Sequence, residues 1–572
     1  MIRTRCCRLN TLALPVFIAG LLLLGFLLAP TSCQAQPAIA KKDPLTGYSD
    51  YASLQKQLHE LAASKFVTVE SLGKTLQDRD VSLITISSDP KTANEKPAIA
   101  IIGGVDAGHL LGTEIALHIA KHLVADSKHD ETRDLLRNFT IYVIPRPSPD
   151  ATEKCFALPR RRPQGNARKT DDDRDHTFGE DPPEDLNGDG VITMMRVADA
   201  AGEYIAHPKD PRVLIKADRL KGEAGQYHLY VEGVDNDHDD KWNEDAGDGV
   251  AFNRNFTFKY PYFKAHAGPH QVSENETRAV ADFLFDRTNI AAVLSFTPED
   301  NLMQTWKTGK NPTRIPVFVD GGDLKYVASL AKDYRELLAE KNAPGPAKGS
   351  GSFSRWAYFH YGRWSLAARG WWVPKQTPAD DKKKSDDKRG ADDLNALRWM
   401  DANNIDGFAA WQSIDHPDFP GKQVEVGGFK PFWRDNPPAT EIEALAGKHV
   451  RFLGKLVESM PKIAIHETEV ESLGAGVFRV HAKVINTGYL PTSSELGRRS
   501  RQTQRVQIAL DMPEGAELIR GPVRIQLQPI AGSGGTQEHT WLLRVRDKRP
   551  RKTTIRAWAA PVGEHTVEIE LK

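Results

Sequence analysis

Pro97-Ala98-Ile99-Ala100-Ile101-Ile102-Gly103-Gly104-Val105-Asp106-Ala107-Gly108-His109 is the stretch that sets the architecture. A short unbroken apolar run closed by glycines reads as a strand buried on both faces, because a strand with one solvated face would alternate polar and apolar residues. Working outward, residues 112–122 read as a helix and Phe139-Thr140-Ile141-Tyr142-Val143-Ile144-Pro145 as a second buried strand. On the N-terminal side, residues 53–65 read as a helix, followed by strands at 66–69 and 81–86. Further on, Ser273-Glu274-Asn275-Glu276 is a capping box before a helix at 277–285, and Ala291-Ala292-Val293-Leu294-Ser295-Phe296 is another buried strand. Strands alternating with helices imply an α/β sheet. Residues 374–393, rich in Asp and Lys, read as a solvated loop.

After about residue 460 the period changes to two. Val477-Phe478-Arg479-Val480-His481-Ala482-Lys483-Val484, Val506-Gln507-Ile508-Ala509-Leu510, Thr540-Trp541-Leu542-Leu543-Arg544-Val545 and Val567-Glu568-Ile569-Glu570-Leu571 predict a separate all-β sandwich over 462–572. Its alternating charges form no catalytic cluster, which suits a stabilising or adhesion module.

The chain of 572 residues is 40% hydrophobic and 27% charged, which excludes disorder and allows two to four domains. Lys plus Arg equals Asp plus Glu, 76 each, so no net field favours nucleic acid or an anionic membrane. Residues 1–35 carry Arg3, Arg5 and Arg8, an apolar run over 12–29 and a small-residue end, Thr31-Ser32-Cys33-Gln34-Ala35. This reads as a signal peptide of an exported protein, secreted, periplasmic or held at the cell surface, with no integral membrane segment after cleavage. A lipid anchor on Cys33 is the variant, although Pro30-Thr31-Ser32 fits a lipobox poorly. Cleavage removes three arginines and no acid and leaves a net charge of −3. Of the four cysteines only Cys155 survives it, so no disulfide framework holds the exported chain; Cys155 reads as a buried small hydrophobe.

Between residues 171 and 245 an acidic motif recurs three times: Asp171-x-Asp173-x-Asp175, Asp185-x-Asn187-x-Asp189 and Asp235-x-Asp237-x-Asp239. Oxygen ligands at alternate positions of an extended loop point to one side, as a calcium ion with six to eight oxygen ligands requires. None has a glutamate at position twelve, so these resemble linear aspartate-rich calcium loops and not helix-loop-helix hands.

Gly249-Val250-Ala251-Phe252-Asn253-Arg254-Asn255-Phe256 resembles the substrate-carboxylate motif of zinc carboxypeptidases of the carboxypeptidase A type. Three further segments agree in order: Ile102-Gly103-Gly104-Val105, His270-Gln271-Val272-Ser273-Glu274-Asn275-Glu276, and Gly351-Ser352-Phe353-Ser354-Arg355-Trp356-Ala357-Tyr358 with Gly362 and Trp371-Trp372. The resemblance covers about residues 45–455 and implies a carboxypeptidase A-like α/β domain, a mixed central sheet with flanking helices, into which the acidic loops at 171–245 are inserted. It also implies a zinc ion on His-x-x-Glu and a later His, a glutamate that activates the metal-bound water, and an Asn-Arg grip on a peptide C-terminus.

The corresponding positions here are occupied differently. Asp106 stands for the first histidine, His109 for the glutamate ligand, Thr297 for the second histidine and Arg369 for the catalytic glutamate. Thr297 is a poor third zinc ligand, and a permanently charged guanidinium cannot accept the water's proton. The resemblance therefore implies a binding protein without hydrolysis, with Asn253 and Arg254 retained to hold peptide or protein C-termini and Arg369 expected to fill the metal position and pair with Asp106. Two other readings stand beside it: an active metallopeptidase with a relocated ligand such as Glu114, and a structural or adhesion protein of the cell envelope. The oxyanion-stabilising arginine is left open among Arg160, Arg161, Arg162 and Arg168. His118 and His122, four apart on one helix, read as solvent-facing.

Overall fold

The glycine-closed run at 98–102 is the middle of a six-stranded mixed sheet. Its order is Val67–Lys74, Asp80–Ile86, Thr140–Ile144, Ala98–Ile102, Ile290–Phe296 and Trp364–Ala368. The first two pairings are antiparallel and the last three parallel. The computed structural model describes residues 44–171, 175–243, 245, 247–347, 349–376, 388–546 and 551–572. The leader at 1–35, Cys33, Asp173 and most of the 374–393 loop lie outside the described residues.

Alternation explains why the run needs no polar residue. Ile99 and Ile101 enter the cluster on one face, with Ile84, Ile141, Leu294 and Leu366. Ala98, Ala100 and Ile102 enter the cluster on the other, with Leu83, Tyr142, Ile144 and Val293. Helices Tyr51–Ala62, Leu110–Ala125, Gly321–Leu338 and Ile442–Ser459 supply Leu54, Ile115, Leu330 and Phe452 to the first face. Asn275–Asp286 supplies Val280 and Leu284, and Phe353–Phe359 supplies Trp356, to the second. The expected fold class, a mixed sheet between helices, is the one observed. Position 103 admits only glycine, because a Cβ there would lie 2.5 Å from the Pro145 carbonyl oxygen and 2.7 Å from that of Gly112.

The acidic segment is more than loops. Met194–Ala198, Tyr204–His207, Asp210–Lys216 and Tyr227–Val231 join Phe408–Ile414 and Val424–Phe429 in a second, antiparallel six-stranded sheet. Its inner face is small, with Met195, Val197, Val424 and Val426 buried. Among the described residues no helix is long and apolar enough to cross a membrane.

At the C-terminus two four-stranded antiparallel sheets enclose one cluster. One holds Ile463–Gly474, Val477–Asn486, Ala516–Arg520 and Gly535–Val545, the other Gln507–Leu510, Arg524–Gln526, Arg551–Ala559 and Gly563–Leu571. Trp541 is fully buried at the centre and its indole nitrogen donates to the Pro522 carbonyl at 2.8 Å. The segment around the short helix Glu495–Ser500 ties this part to the central sheet. The buried Arg363 guanidinium donates to the carbonyls of Ile290 (2.7 Å) and Gln502 (3.0 Å) and to the Thr503 hydroxyl (3.2 Å). Asp323 accepts from the Glu495 amide (3.0 Å) and the Tyr358 hydroxyl (2.8 Å), and Arg499 pairs with Asp320 at 2.7 Å. These contacts join the segment at 494–503 to the central sheet and its helices.

Burial pushes the Asp323 carboxyl up to about 6. A folded-state value above the unfolded one gives stability that is complete below about pH 4 and lost as pH rises through 6. The melting temperature of Asp323→Asn minus that of the wild type is therefore expected to rise between pH 4 and 6 and to be flat above 7. A difference independent of pH across that window contradicts the reading.

Candidate functional site

Parallel pairing puts the ends of three neighbouring strands at one edge of the sheet. Asp106 follows the strand at 98–102, Thr297 follows Ile290–Phe296, and Arg369 follows Trp364–Ala368. A crevice beyond the carboxyl ends of parallel strands is where α/β folds place their sites. The turn at Phe252–Arg254 brings Asn253 over the same edge.

The side chains close on one another. Thr297 donates its hydroxyl to one Asp106 oxygen at 2.6 Å, and Asn253 donates its amide to the other at 3.0 Å. The Asn253 amide nitrogen also lies 3.3 Å from the Thr297 oxygen, and its carbonyl oxygen accepts from the Phe353 amide at 2.9 Å. Each hydrogen bond to the carboxylate is worth about 1.5–3 kcal/mol, so this triangle is a satisfied end state for a half-buried acid. Asn253, expected to grip ligand, is consumed inside the protein.

Arg369 does not pair with Asp106, contrary to the expectation from sequence. No ion pair within 4.0 Å joins them among the described residues; the Arg369 guanidinium donates instead to the carbonyls of Pro298 (3.0 Å) and Gly345 (3.3 Å), with its Nε buried and unpartnered. The physical reason is that Thr297 and Asn253 already satisfy both carboxylate oxygens. Burial lowers the Arg369 pKa, opposed by Asp435, Asp300 and Asp106.

His109 is fully buried, and its Nε2 lies 2.9 Å from the Arg369 carbonyl oxygen, which fixes that nitrogen as the donor. Its Nδ1 is buried without a partner and faces Gly112, where a Cβ would lie 3.1 Å away. Burial holds the imidazole pKa below its usual value, against the opposing pull of Asp106 and Asp435, so the ring is neutral. Glu114, the candidate relocated ligand, is also consumed: it accepts from the Ser49 amide (2.8 Å) and hydroxyl (3.1 Å). His118 is half-buried, more so than expected, and burial lowers its pKa.

The residues present do not fit a zinc ion. Asp106 is occupied, His109 turns one nitrogen to a carbonyl and the other to a helix, and Thr297 is a hydroxyl already donated. Among the described residues, three acidic or imidazole donors converge within 4.8 Å only at Asp235, Asp237 and Asp239.

The structure also distinguishes the arginines that sequence left open. Arg162 stands beside the site, its side chain against Gly108 and its guanidinium 2.5 Å from Asp435. Arg161 pairs with Asp248 and Arg168 with Glu274, away from the triangle. Asp435 was missed: it lies some 330 residues from Asp106 in the chain, and no local pattern marks it. Arg254 differs from all of these. It is half-buried, its Nε is shielded from solvent without a partner, burial lowers its pKa, and its guanidinium makes no hydrogen bond or ion pair with any described residue. Cys155 is fully buried and burial pushes its thiol up to about 12, as an inert core residue requires.

The acidic loops share one pattern of backbone amides donating to their carboxylates. In the second, the Asp189 amide donates to Asp185 (3.1 Å) and Asn187 (3.0 Å), Gly190 to Asp185 (2.8 Å) and Val191 to Asp189 (2.9 Å). In the third, the Asp239 amide donates to Asp235 (3.1 Å) and Asp237 (3.2 Å), Asp240 to Asp235 (3.0 Å) and Lys241 to Asp239 (2.8 Å). The first copy, of which residues 172–174 lie outside the described residues, shows the corresponding bonds: Asp171 accepts from the His176 amide at 3.2 Å, as Asp185 does from Gly190, and Asp175 from that of Thr177 at 2.6 Å, as Asp189 does from Val191. Burial, reinforced by Asp245 and Asp175, pushes Glu180 up to about 7.

Residues 54–190 match the family model described as zinc carboxypeptidase, and residues 462–570 match one described as Domain of unknown function (DUF8731). A zinc carboxypeptidase of Saccharothrix mutabilis subsp. capreolus is 26% identical over 151 residues, 24% of this chain and 35% of that protein, so the chain spans about a third of the length of that curated relative. Among solved structures, carboxypeptidase A from Helicoverpa armigera aligns at 13% identity and a TM-score of 0.40 over 72% of this chain and 73% of that one. Thrombin activatable fibrinolysis inhibitor aligns at 12% identity and a TM-score of 0.38 over 72% and 76%.

Proposed function

We propose that this chain, which carries a zinc carboxypeptidase-family segment over residues 54–190, is an exported, non-hydrolytic member that binds peptide C-terminal carboxylates through Arg254. The observation that carries the reading is the hydrogen-bonded triangle of Asp106, Thr297 and Asn253 beside a free, half-buried guanidinium. Without a metal or a proton acceptor at Arg369, no water is activated. Arg254 keeps a planar fork of donors suited to a carboxylate, in a setting where partial burial strengthens the pairing. Export rests on the leader-like residues 1–35.

Benzoyl-glycyl-phenylalanine and its C-terminal amide serve as probes. The free acid is expected to bind the wild type without turnover, the amide to bind at least tenfold more weakly, and Arg254→Met to abolish the difference. Equal binding of acid and amide, or release of phenylalanine, overturns the proposal.

Calcium is the proposed cofactor, at the loops beginning with Asp185 and Asp235. Support comes from their shared hydrogen-bond pattern and the convergence of Asp235, Asp237 and Asp239. Burial and neighbouring carboxylates raise the Asp237 pKa, a like-charge cost that a divalent cation relieves. Millimolar calcium is expected to raise the melting temperature by several degrees through linkage, and Asp237→Ser to remove part of the rise. Unchanged melting together with no calcium retained on equilibrium dialysis contradicts it.

A further inference from the structure

A second cleft opens where the C-terminal part meets the central sheet, on the face formed by residues 492–505 and 526–529. Its volume is about 430 Å³, and Arg498, Arg501 and Arg505 line it together with Thr492, Gln504 and Gln526. Thr503 also borders it, and Thr503 and Ser494 anchor the segment to the Gly362 carbonyl at 3.2 and 3.1 Å. The cleft wall is therefore held by buried contacts to the rest of the fold.

The charge of the lining is one-sided. Arg498 is shared with Glu495 at 2.7 Å, while Arg501 and Arg505 make no hydrogen bond or ion pair with any described residue. The acids nearby are already engaged: Asp323 accepts from the Glu495 amide, and Asp320 holds Arg499, which is not among the lining residues. Two free guanidinium forks in one concavity lower the local cost of bringing in an oxyanion and offer it bidentate donors. No aromatic side chain lines the cleft, so neither a nucleobase nor an uncharged sugar ring finds a stacking platform. Hydroxyl and amide groups interleave with the arginines and match a hydroxyl-rich carrier.

We infer that this cleft binds a compact polyanion, a small hydroxylated carrier bearing two or more phosphate or sulfate groups, independently of the Arg254 site. Titration of the full chain with myo-inositol hexakisphosphate and sucrose octasulfate in 0.1 M salt, with plain sucrose and inorganic sulfate alongside, tests it. At least one of the two polyanions is expected to bind with a Kd of about 10 µM or tighter. Sucrose is expected not to bind, and inorganic sulfate to bind at least tenfold more weakly. Which polyanion binds tells phosphate esters from sulfate esters.

Arg501→Gln with Arg505→Gln is expected to weaken binding at least tenfold with an unchanged melting temperature, since both side chains are exposed. Gln526→Glu, which sets a like charge in the cleft, is expected to weaken it as well. Arg133→Gln with Arg137→Gln, on an exposed helix elsewhere, and Arg254→Met are expected to leave it unchanged. Absence of binding of both polyanions at 1 mM, or an equal loss in the Arg133 and Arg137 pair, overturns the inference.

Discussion

A carboxylate at the end of a buried parallel strand must find donors or a cation, and Asp106 is in that position. Everything around the sheet edge follows from how the need is met. Parallel pairing of the strands at 98–102, 290–296 and 364–368 delivers Thr297 and Arg369 to the same edge, and the 252–254 turn delivers Asn253. A short hydroxyl and an amide reach both carboxylate oxygens. Neutral donors are the less costly solution, because a buried ion pair loses to desolvation much of what it gains in attraction. Arg369 is thereby released to the Pro298 and Gly345 carbonyls, where it holds the loop that borders the site.

Neutral partners recur at the junction with the C-terminal sheets. Arg363 is buried, yet it meets carbonyl and hydroxyl oxygens and no carboxylate, and burial lowers its pKa. Asp323 likewise meets an amide and a phenol. These contacts fix the segment at 492–505, so the basic cleft is part of the joined structure and not an appendage of the C-terminal part alone. Guanidinium groups without a hydrogen bond or ion pair to any described residue stand at two places of the proposals above, Arg254 in the central part and the Arg501 and Arg505 pair at the junction.

Much of this was legible in sequence because it is local. The apolar run at 98–102, the strands at 140–144 and 290–296 and the period-two segments after 460 announce themselves through burial on one face or two. The strands at 194–198 and 227–231 pair with each other, but the acidic repeats around them read as loops, and the strand at 424–429 that also pairs with 194–198 lies more than two hundred residues away. The site was legible in its positions and illegible in its pairings. Asp106, Thr297 and Arg369 were located by the resemblance to zinc carboxypeptidases, whereas the choice of Asn253 over Arg369 as the partner of Asp106 depends on reach across the sheet edge. Asp435 and the arginine cleft arise from chain segments that meet only in the fold.

The central claim is that internal donors occupy the place of a metal at Asp106. Elemental analysis of the mature protein, purified without chelator, exposed to excess zinc and desalted, addresses it directly. The account predicts less than ~0.1 zinc per chain, because the donor set neither converges nor stands free. About one zinc per chain, lost in Asp106→Ala, would contradict it.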